Sequence, residues 1–169
     1  MNVTIRPERP TDAATIHAVT RAAFRTAAHA SGTEPHIVDA LRAANALTVS
    51  LVADGHGQIV GHVAVSPVTI GDRGAIGWFG LGPISVIPDC QRQGVGTALM
   101  HGALAALRAR KAAGCVLLGD PAFYRRFGFE PAAPLVLPDV PPEYFQALVF
   151  AGPRPSGVVH YHEGFSATG

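Results

Sequence analysis

The chemistry suggested by this sequence centres on a short glycine loop that opens a helix. The loop follows an apolar, β-branched stretch, and a helical period of apolar residues comes after it. The first N–H groups of a helix lack internal partners and carry partial positive charge, and glycine lets an anion approach the backbone closely. The unit therefore predicts a pyrophosphate cradle, to which one arginine adds a full charge. Its residues are Gln91, Arg92, Gln93, Gly94, Val95 and Gly96.

Two common nucleotide-binding motifs do not match the loop. A P-loop ends in Gly-Lys-Ser or Gly-Lys-Thr, whereas Gly96 is followed by Thr97 and Ala98. A Rossmann fingerprint needs a third glycine three residues after the second, where this sequence has Leu99. A plain nucleotide-binding site is therefore disfavoured. The remaining alternative to an anion cradle is an ordinary glycine turn at the start of a helix.

The elements that must position the loop can be predicted from periodicity and from helix and strand breakers. Two helices come early, the first capped by Thr11 and fading near His29, the second running from Glu34-Pro35 to Asn45. The helix after the loop is expected to run to about Lys111, with Gly114 as its C-cap. A short helix is expected between residues 120 and 128. Strands are expected at residues 3–6, 48–53, 58–70, 75–87, 115–118, 144–150 and 157–162, with turns at 54–57 and 71–74.

The loop resembles the Gln/Arg-x-x-Gly-x-Gly/Ala signature of the GNAT family of N-acetyltransferases. A second stretch, Tyr124 followed at short spacing by Gly128-Phe129, resembles the next landmark of that family. The two landmarks stand in the right order and are separated by one helix and one strand. Three short segments resemble the YhbS-like branch of the family: Leu81-Gly82-Pro83, Gly119-Asp120-Pro121 and Phe127-Gly128-Phe129.

This resemblance implies an α/β fold with a mixed, mostly antiparallel central sheet and helices on both faces. It also implies acetyl-CoA as co-substrate and no metal. The backbone N–H groups from Gln93 to Thr97 would hold the pyrophosphate, and the Val86 N–H would polarise the thioester carbonyl. The residues expected to contact acetyl-CoA are Ser85, Val86, Ile87, Gln91, Arg92, Gln93, Gly94, Val95, Gly96, Thr97 and Tyr124.

Pro83 lies inside the long strand that precedes the loop. Proline cannot donate to a sheet ladder, so it marks either a bulge or a place where the neighbouring strand has departed. In the family, the backbone groups freed by such a departure hydrogen-bond the pantetheine arm as if it were an added strand.

Tyr124 matches the general acid that the family uses to protonate the departing thiolate. The alternative is that Tyr124 only packs beside Phe123 and Phe127. The general base is less clear. The family often places a glutamate near the end of the long strand, where this sequence offers Ser85.

A water relay or another residue would therefore have to serve as the base. The candidates are Glu34, His36 and His62. His62 lies on a strand face of small or polar residues, where a histidine is more often structural. Glu34 and His36 lie where members of the family usually form the wall of the acceptor cleft.

Composition narrows the class of protein. A chain of 169 residues with a formal net charge of +1 predicts one domain, residues 1–169, and no nucleic-acid partner. The N-terminus has no signal-peptide pattern and no apolar run is long enough to span a bilayer, which predicts a cytoplasmic protein without a membrane partner. Cys90 and Cys115 form no disulfide framework, and Cys115 is expected to be buried. His160 and His162 lack a third ligand for a metal site.

Three functions remain to be compared. The first is an acetyl-CoA-dependent N-acetyltransferase acting on a small-molecule or protein amine. The second is a catalytically idle acyl-CoA-binding or regulatory module of the same fold, favoured by the missing base. The third, a plain nucleotide binder, is opposed by the failed motifs. Many members of the family dimerise, and a homodimer stays open.

Overall fold

The computed structural model describes residues 1–72 and 74–169, the side chains of Ala75 and Ile76 excepted. The turn expected at residues 71–74 contains Arg73, which lies outside the described residues. The first half of the chain forms β1 (Thr4–Pro7), α1 (Ala13–Phe24), α2 (Glu34–Ala43), β2 (Val49–Gly55), β3 (Gln58–Ile70) and β4 (Ala75–Val86). The second half forms α3 (Val95–Ala109), β5 (Gly114–Leu118), α4 (Pro121–Tyr124), β6 (Glu130–Pro131), β7 (Leu135–Val136), β8 (Phe145–Val149) and β9 (Gly157–Tyr161).

The strands form a mixed sheet in the order β1-β2-β3-β4-β5-β8-β6. Neighbours along this order are antiparallel except for β4 and β5, which run parallel. The partner of β3 changes along its length, since pairing with β2 ends at Val65 and β9 pairs with Val68–Ile70. The predicted α/β class with a mixed, mostly antiparallel sheet is confirmed.

Helices cover both faces of the sheet, as predicted. On one face, α3 buries Leu99 and Leu107 among residues of β2, β3 and β5. On the other face, Ile16 of α1 and Val38 of α2 pack against Val52 of β2. Full burial of an aliphatic side chain contributes about 1.5–3 kcal/mol, so these layers hold firmly the strands that carry the site. No helix of the described chain is both long and apolar enough to cross a membrane.

The start and end of α1 differ from the prediction. Thr11 is exposed, and the side chain of the next residue, Asp12, instead accepts a hydrogen bond from the Arg9 N–H at 2.7 Å. The helix ends at Phe24 rather than near His29. The alanines that follow Phe24 are exposed, so continuing the helix would bury nothing.

The end of α3 also differs from the prediction. Lys111, not Gly114, takes the left-handed φ of 59° after the helix. Gly114 opens β5, where a Cβ would stand 2.5 Å from the ring of Trp78. This glycine is therefore needed because an aromatic ring packs against the strand, and not as a helix cap.

Candidate active site

The glycine loop has the backbone geometry of an anion site. Arg92 and Gly94 have left-handed φ values of 58° and 87°, and Gly94 immediately precedes α3. The first hydrogen bond of the helix runs from the Ala98 N–H to the Gly94 carbonyl at 3.0 Å. The N–H groups of residues 95–97 consequently have no helical acceptor. A side chain at Gly94 would project into open space, which leaves this side of the loop accessible to a phosphate.

Two glutamines brace the loop from within. The Gln91 side-chain amide donates to the Val86 carbonyl at 3.0 Å, and the Gln93 amide donates to the Asp89 carbonyl at 2.8 Å. The Arg92 side chain is exposed and forms no ion pair with the described residues. The glutamines thus shape the loop, while the guanidinium stays available to a ligand.

Next to the loop, β4 separates from its parallel neighbour. The two strands pair only from Trp78 to Gly80, and β4 then continues to Val86 along β3. Val63 pairs with Ile84 but Val65 pairs with Leu81, so β4 has one extra residue at Gly82-Pro83. Both interpretations of Pro83, a bulge and a departed neighbour, therefore describe this strand.

Alternation determines which backbone groups of β4 face the open edge. The Ile87 N–H donates to the Val60 carbonyl of β3 at 2.9 Å. Along an antiparallel pair, successive residues direct their N–H and C=O groups toward the partner strand and then away from it. The groups of Ser85 and Ile87 therefore face β3, whereas those of Ile84 and Val86 face the open edge.

A pocket of about 420 Å³ lies where β4 and β5 separate. Residues 81–84 of β4 and Leu118 of β5 form one wall. Glu34 at the start of α2 and Tyr124 at the end of α4 line the same pocket. The structure thus brings together a carboxylate and a phenol that stand 90 residues apart in the sequence.

Tyr124 is held by a capped short helix, as the sequence predicted for this segment. Asp120 accepts a hydrogen bond from the Ala122 N–H at 2.9 Å and so caps α4. The Tyr124 ring packs edge-on against Phe123, with centroids 4.9 Å apart, and lies against Gly119. Burial raises the pKa of Tyr124 to about 12, and the charge of Asp120 adds to this effect. The phenol is therefore protonated at neutral pH and able to donate a proton.

Glu34 has one oxygen that the chain does not use. Its Oε1 accepts hydrogen bonds from the Ser31 N–H at 2.8 Å and from the Ser31 hydroxyl at 3.1 Å. Its Oε2 is buried and has no hydrogen-bond partner within the described residues. A buried carboxylate oxygen without a partner is unfavourable, so it is well suited to accept a hydrogen bond from a ligand.

Ser85 and His36, also singled out in the sequence, lie outside the set of described residues that lines the pocket. The Ser85 hydroxyl is buried 3.4 Å from the hydroxyl of Thr20 in α1. The His36 ring packs against His17 with centroids 5.3 Å apart. The side chain of Ser85 therefore has a structural contact, and neither residue offers a base to this pocket.

His62 is also buried away from the pocket. Its Nε2 lies 2.8 Å from the Ser50 Oγ, and its Nδ1 has no partner within the described residues. Burial lowers the pKa of His62 to about 4, while Glu8 raises it and Arg42 lowers it by smaller amounts. The imidazole is neutral at neutral pH and belongs to the interior of the fold.

This buried histidine should make the fold less stable in mild acid. The unfolded chain takes up the proton near pH 6.5 and the folded chain only near pH 4, so protons favour the unfolded state between these values. The free energy of unfolding should fall by up to about 3 kcal/mol from pH 7 to pH 4. Urea unfolding of His62→Gln should show a smaller fall than the wild type or the exposed control His160→Gln. Equal falls in all three proteins would contradict this role.

Other residues noted in the sequence have simple environments. Cys115 is buried as predicted, and burial raises the pKa of its thiol. Cys90 is half-buried. His160 is exposed, and the His162 Nδ1 accepts a hydrogen bond from the Gly164 N–H at 3.0 Å.

The sequence did not single out the aromatic side chains that the C-terminal tail brings to the pocket. Tyr161 of β9 and Phe165 both line it. Gly80 of β4 makes room for Tyr161, because a Cβ there would stand 2.5 Å from the ring. No local pattern in residues 157–161 marks this placement, because the exposed Val158 and the buried Val159 are the same residue type.

Comparisons with known proteins agree with this geometry. The family model described as acetyltransferase (GNAT) domain matches residues 47–131. The uncharacterized N-acetyltransferase YhbS of Escherichia coli K12 is 41% identical over 130 residues, which cover 76% of this chain and 74% of that protein. The chain therefore belongs to the GNAT family of acetyltransferases, which are enzymes.

Two solved structures resemble the whole fold. A GNAT family acetyltransferase from Brucella melitensis, solved in complex with acetyl-CoA, has a TM-score of 0.86 and 51% identity, covering 97% of this chain and 98% of that one. YhbS from Escherichia coli, solved in complex with CoA, has a TM-score of 0.88 and 37% identity, covering 100% of this chain and 94% of that one. The resemblance to the YhbS-like branch is thereby confirmed.

Proposed function

We propose that this protein is an N-acetyltransferase that moves an acetyl group from acetyl-CoA to a primary amine by direct attack in a ternary complex. The observation that carries the proposal is a pocket that holds both Glu34 and Tyr124 beside the open edge of β4. Acetyl-CoA in the solved Brucella relative, 51% identical, supports the choice of donor. Residues 1–169 act as one domain in the cytoplasm, on a small-molecule or protein amine.

The glycine loop and the open edge suit the two polar parts of acetyl-CoA. The N–H groups of residues 95–97 and the space beside Gly94 would accept the pyrophosphate, and Arg92 would add charge. The outward backbone groups of Ile84 would pair with the pantetheine arm as an added strand does, and the outward N–H of Val86 would lie at the thioester end of that arm.

The sequence led us to expect donor contacts from Ser85, Val86 and Ile87, and the direction of their backbone groups favours one of the three. Ser85 and Ile87 direct their backbone groups to β3, so Val86 is the residue of this trio that offers its N–H to the donor. Gln91 already holds the Val86 carbonyl, which leaves the N–H as the outward backbone group of this residue that the donor can use. The Val86 N–H is then placed to polarise the thioester carbonyl.

Glu34 and Tyr124 would share the proton transfers. The free Oε2 of Glu34 accepts a proton from the acceptor ammonium, directly or through a water, and the neutral amine can then attack. The Tyr124 hydroxyl donates a proton to the departing thiolate. The idle acyl-CoA-binding module was favoured because the sequence showed no clear base. Glu34 in the pocket would supply that base, which favours the enzyme.

Glu34→Gln separates an enzyme from an idle module. The variant keeps the size of the side chain but removes its basic oxygen, so we expect kcat/KM for amine acetylation to fall about 100-fold or more. The Kd for acetyl-CoA should not change, because the loop and the open edge are untouched. Release of CoA thiol measures the first quantity and calorimetry the second. Glu143→Gln, at an exposed turn, is the matched control. Unchanged kcat/KM in Glu34→Gln would mean that Glu34 is not the general base.

Gly96→Ala tests how closely the donor approaches the loop. A Cβ at Gly96 would lie 3.8 Å from Phe123, an ordinary contact, so the fold should accept it. Alanine is also a better helix former than glycine by about 1 kcal/mol. We expect the acetyl-CoA Kd to rise about tenfold or more while thermal stability stays equal or increases. An unchanged Kd would mean that the pyrophosphate does not lie against this backbone.

A further inference from the structure

Apart from Ser31 and Glu34, the acceptor side of the pocket is lined by hydrocarbon and aromatic side chains. Phe24 and Ile37 line it from α1 and α2, and Leu137, Tyr161 and Phe165 line it from the second half of the chain. The whole pocket, which includes the β4 wall beside the donor, has a volume of about 420 Å³, toward the small end of the range for small-molecule sites. These walls stabilise an apolar body by removing it from water, and they offer little to a polyhydroxylated one.

Glu34 is the one charged side chain among the described residues that line this pocket. It is 9% exposed, and its Oε2 has no partner within the described residues. A charge-assisted hydrogen bond from an ammonium would satisfy this oxygen. The pocket therefore supplies a counter-charge for one cation, and its described lining supplies no basic side chain to pair with an anionic group.

The surroundings of Glu34 also disfavour a second cation. Arg21 of α1 and Arg25, which directly follows this helix, line an adjoining cavity of about 130 Å³ together with Glu34 and Phe24. Both arginines are exposed, and they carry positive charge into the surroundings of Glu34. A diamine or polyamine would bring an additional positive charge near these guanidinium groups without a second carboxylate to receive it.

From the single buried carboxylate and the apolar walls we infer that the acceptor is a primary monoamine on an apolar alkyl or aryl body. This inference rests on the proposed function. Glu34 orients the ammonium and receives its proton, while Phe24, Ile37, Tyr161 and Phe165 enclose the body. Polyamines, amino sugars and amino acids with a free carboxylate are excluded as preferred acceptors.

A matched series of six-carbon amines tests the inference on the wild-type protein. The series is hexylamine, 6-amino-1-hexanol, hexane-1,6-diamine and 6-aminohexanoate, with acetyl-CoA in each assay and thiol release as the readout. Hexylamine should have a kcat/KM at least about tenfold above the other three, because only it places a fully apolar chain in the pocket. From propylamine to hexylamine, kcat/KM should rise up to about fourfold per methylene. A preference for the diamine, the alcohol or the acid, or a flat chain-length series, would overturn the inference.

A charge added to the pocket wall should change the preference. Leu137 is half-buried on that wall, and Leu137→Glu would provide the second carboxylate that a diamine needs. The ratio of kcat/KM for hexane-1,6-diamine to that for hexylamine should rise about tenfold in Leu137→Glu and should not rise in the neutral control Leu137→Gln. An unchanged ratio in a Leu137→Glu protein that still binds acetyl-CoA would count against the inference.

Binding of acetyl-CoA separates the two possible failures. If acetyl-CoA binds and no apolar monoamine is acetylated, the substrate class is wrong and the donor site stands. If acetyl-CoA does not bind, the proposed function itself fails, and the inference about the acceptor fails with it.

Discussion

Replacing Tyr124 with phenylalanine is expected to lower kcat about 100-fold or more while leaving the Kd for acetyl-CoA unchanged. The substitution removes one hydroxyl and keeps the ring that packs against Phe123 and Gly119, so α4 should keep its shape. Burial raises the pKa of Tyr124 to about 12, so the hydroxyl carries its proton when the thiolate departs. Without this donor the thiolate must leave unprotonated or take a proton from water.

Tyr144→Phe is the matched control for this experiment, because Tyr144 is exposed and lies outside the described pocket lining. It should leave both kcat and the Kd unchanged. An equal loss of turnover and acetyl-CoA affinity in Tyr124→Phe would mean that the tyrosine only packs. Turnover at the wild-type level would mean that the thiolate leaves without its help.

Gly94→Glu should raise the Kd for acetyl-CoA about 100-fold or more, which at ordinary protein concentrations means no measurable binding. A side chain at Gly94 would occupy the open space beside the loop and would bring a carboxylate toward the pyrophosphate. The φ of 87° at this position also disfavours any L side chain, so the loop itself would be strained. Calorimetric titration with acetyl-CoA measures the effect.

Gly57→Glu is the control that separates general backbone strain from a local effect of the glutamate on the cradle. Gly57, in the turn between β2 and β3, has a φ of 82° and no neighbour within 4 Å of a Cβ position, so it combines similar strain with the same added charge at a distant site. We expect Gly57→Glu to lose some stability and to bind acetyl-CoA normally. If both variants lose binding equally, general destabilisation and not the cradle explains the result.

The central part of the fold could be predicted because local signals there agree with one another. The β4–loop–α3 unit combines a β-branched run, two glycines and a helical period, and the structure has these elements in that order. Predictions were wrong where tertiary packing decides. Gly114 looks like a helix cap in sequence, but the ring of Trp78 determines its place. The two-residue strands β6 and β7 were not predicted, because they are too short for alternation to show.

The candidate site was predictable only in part, because tertiary packing decides which side chains reach the pocket. The sequence singled out Tyr124 through its spacing from Gly128-Phe129, and it left three candidates for the base. Burial and pocket lining distinguish these candidates, since His62 is enclosed in the core and Glu34 lines the pocket. Tyr161 reaches the pocket through pairing of β9 with β3, a contact between segments roughly 90 residues apart in sequence that no local pattern marks.

The first measurement to make is calorimetric titration of the purified protein with acetyl-CoA, with free CoA and ATP as controls. A cradle at residues 91–97 and an open edge at Ile84 and Val86 predict micromolar binding of acetyl-CoA and CoA. They predict much weaker binding of ATP, which has phosphates but no pantetheine arm to pair with β4. Absence of acetyl-CoA binding, or equal binding of ATP, would contradict the proposed donor site and with it the acetyltransferase function.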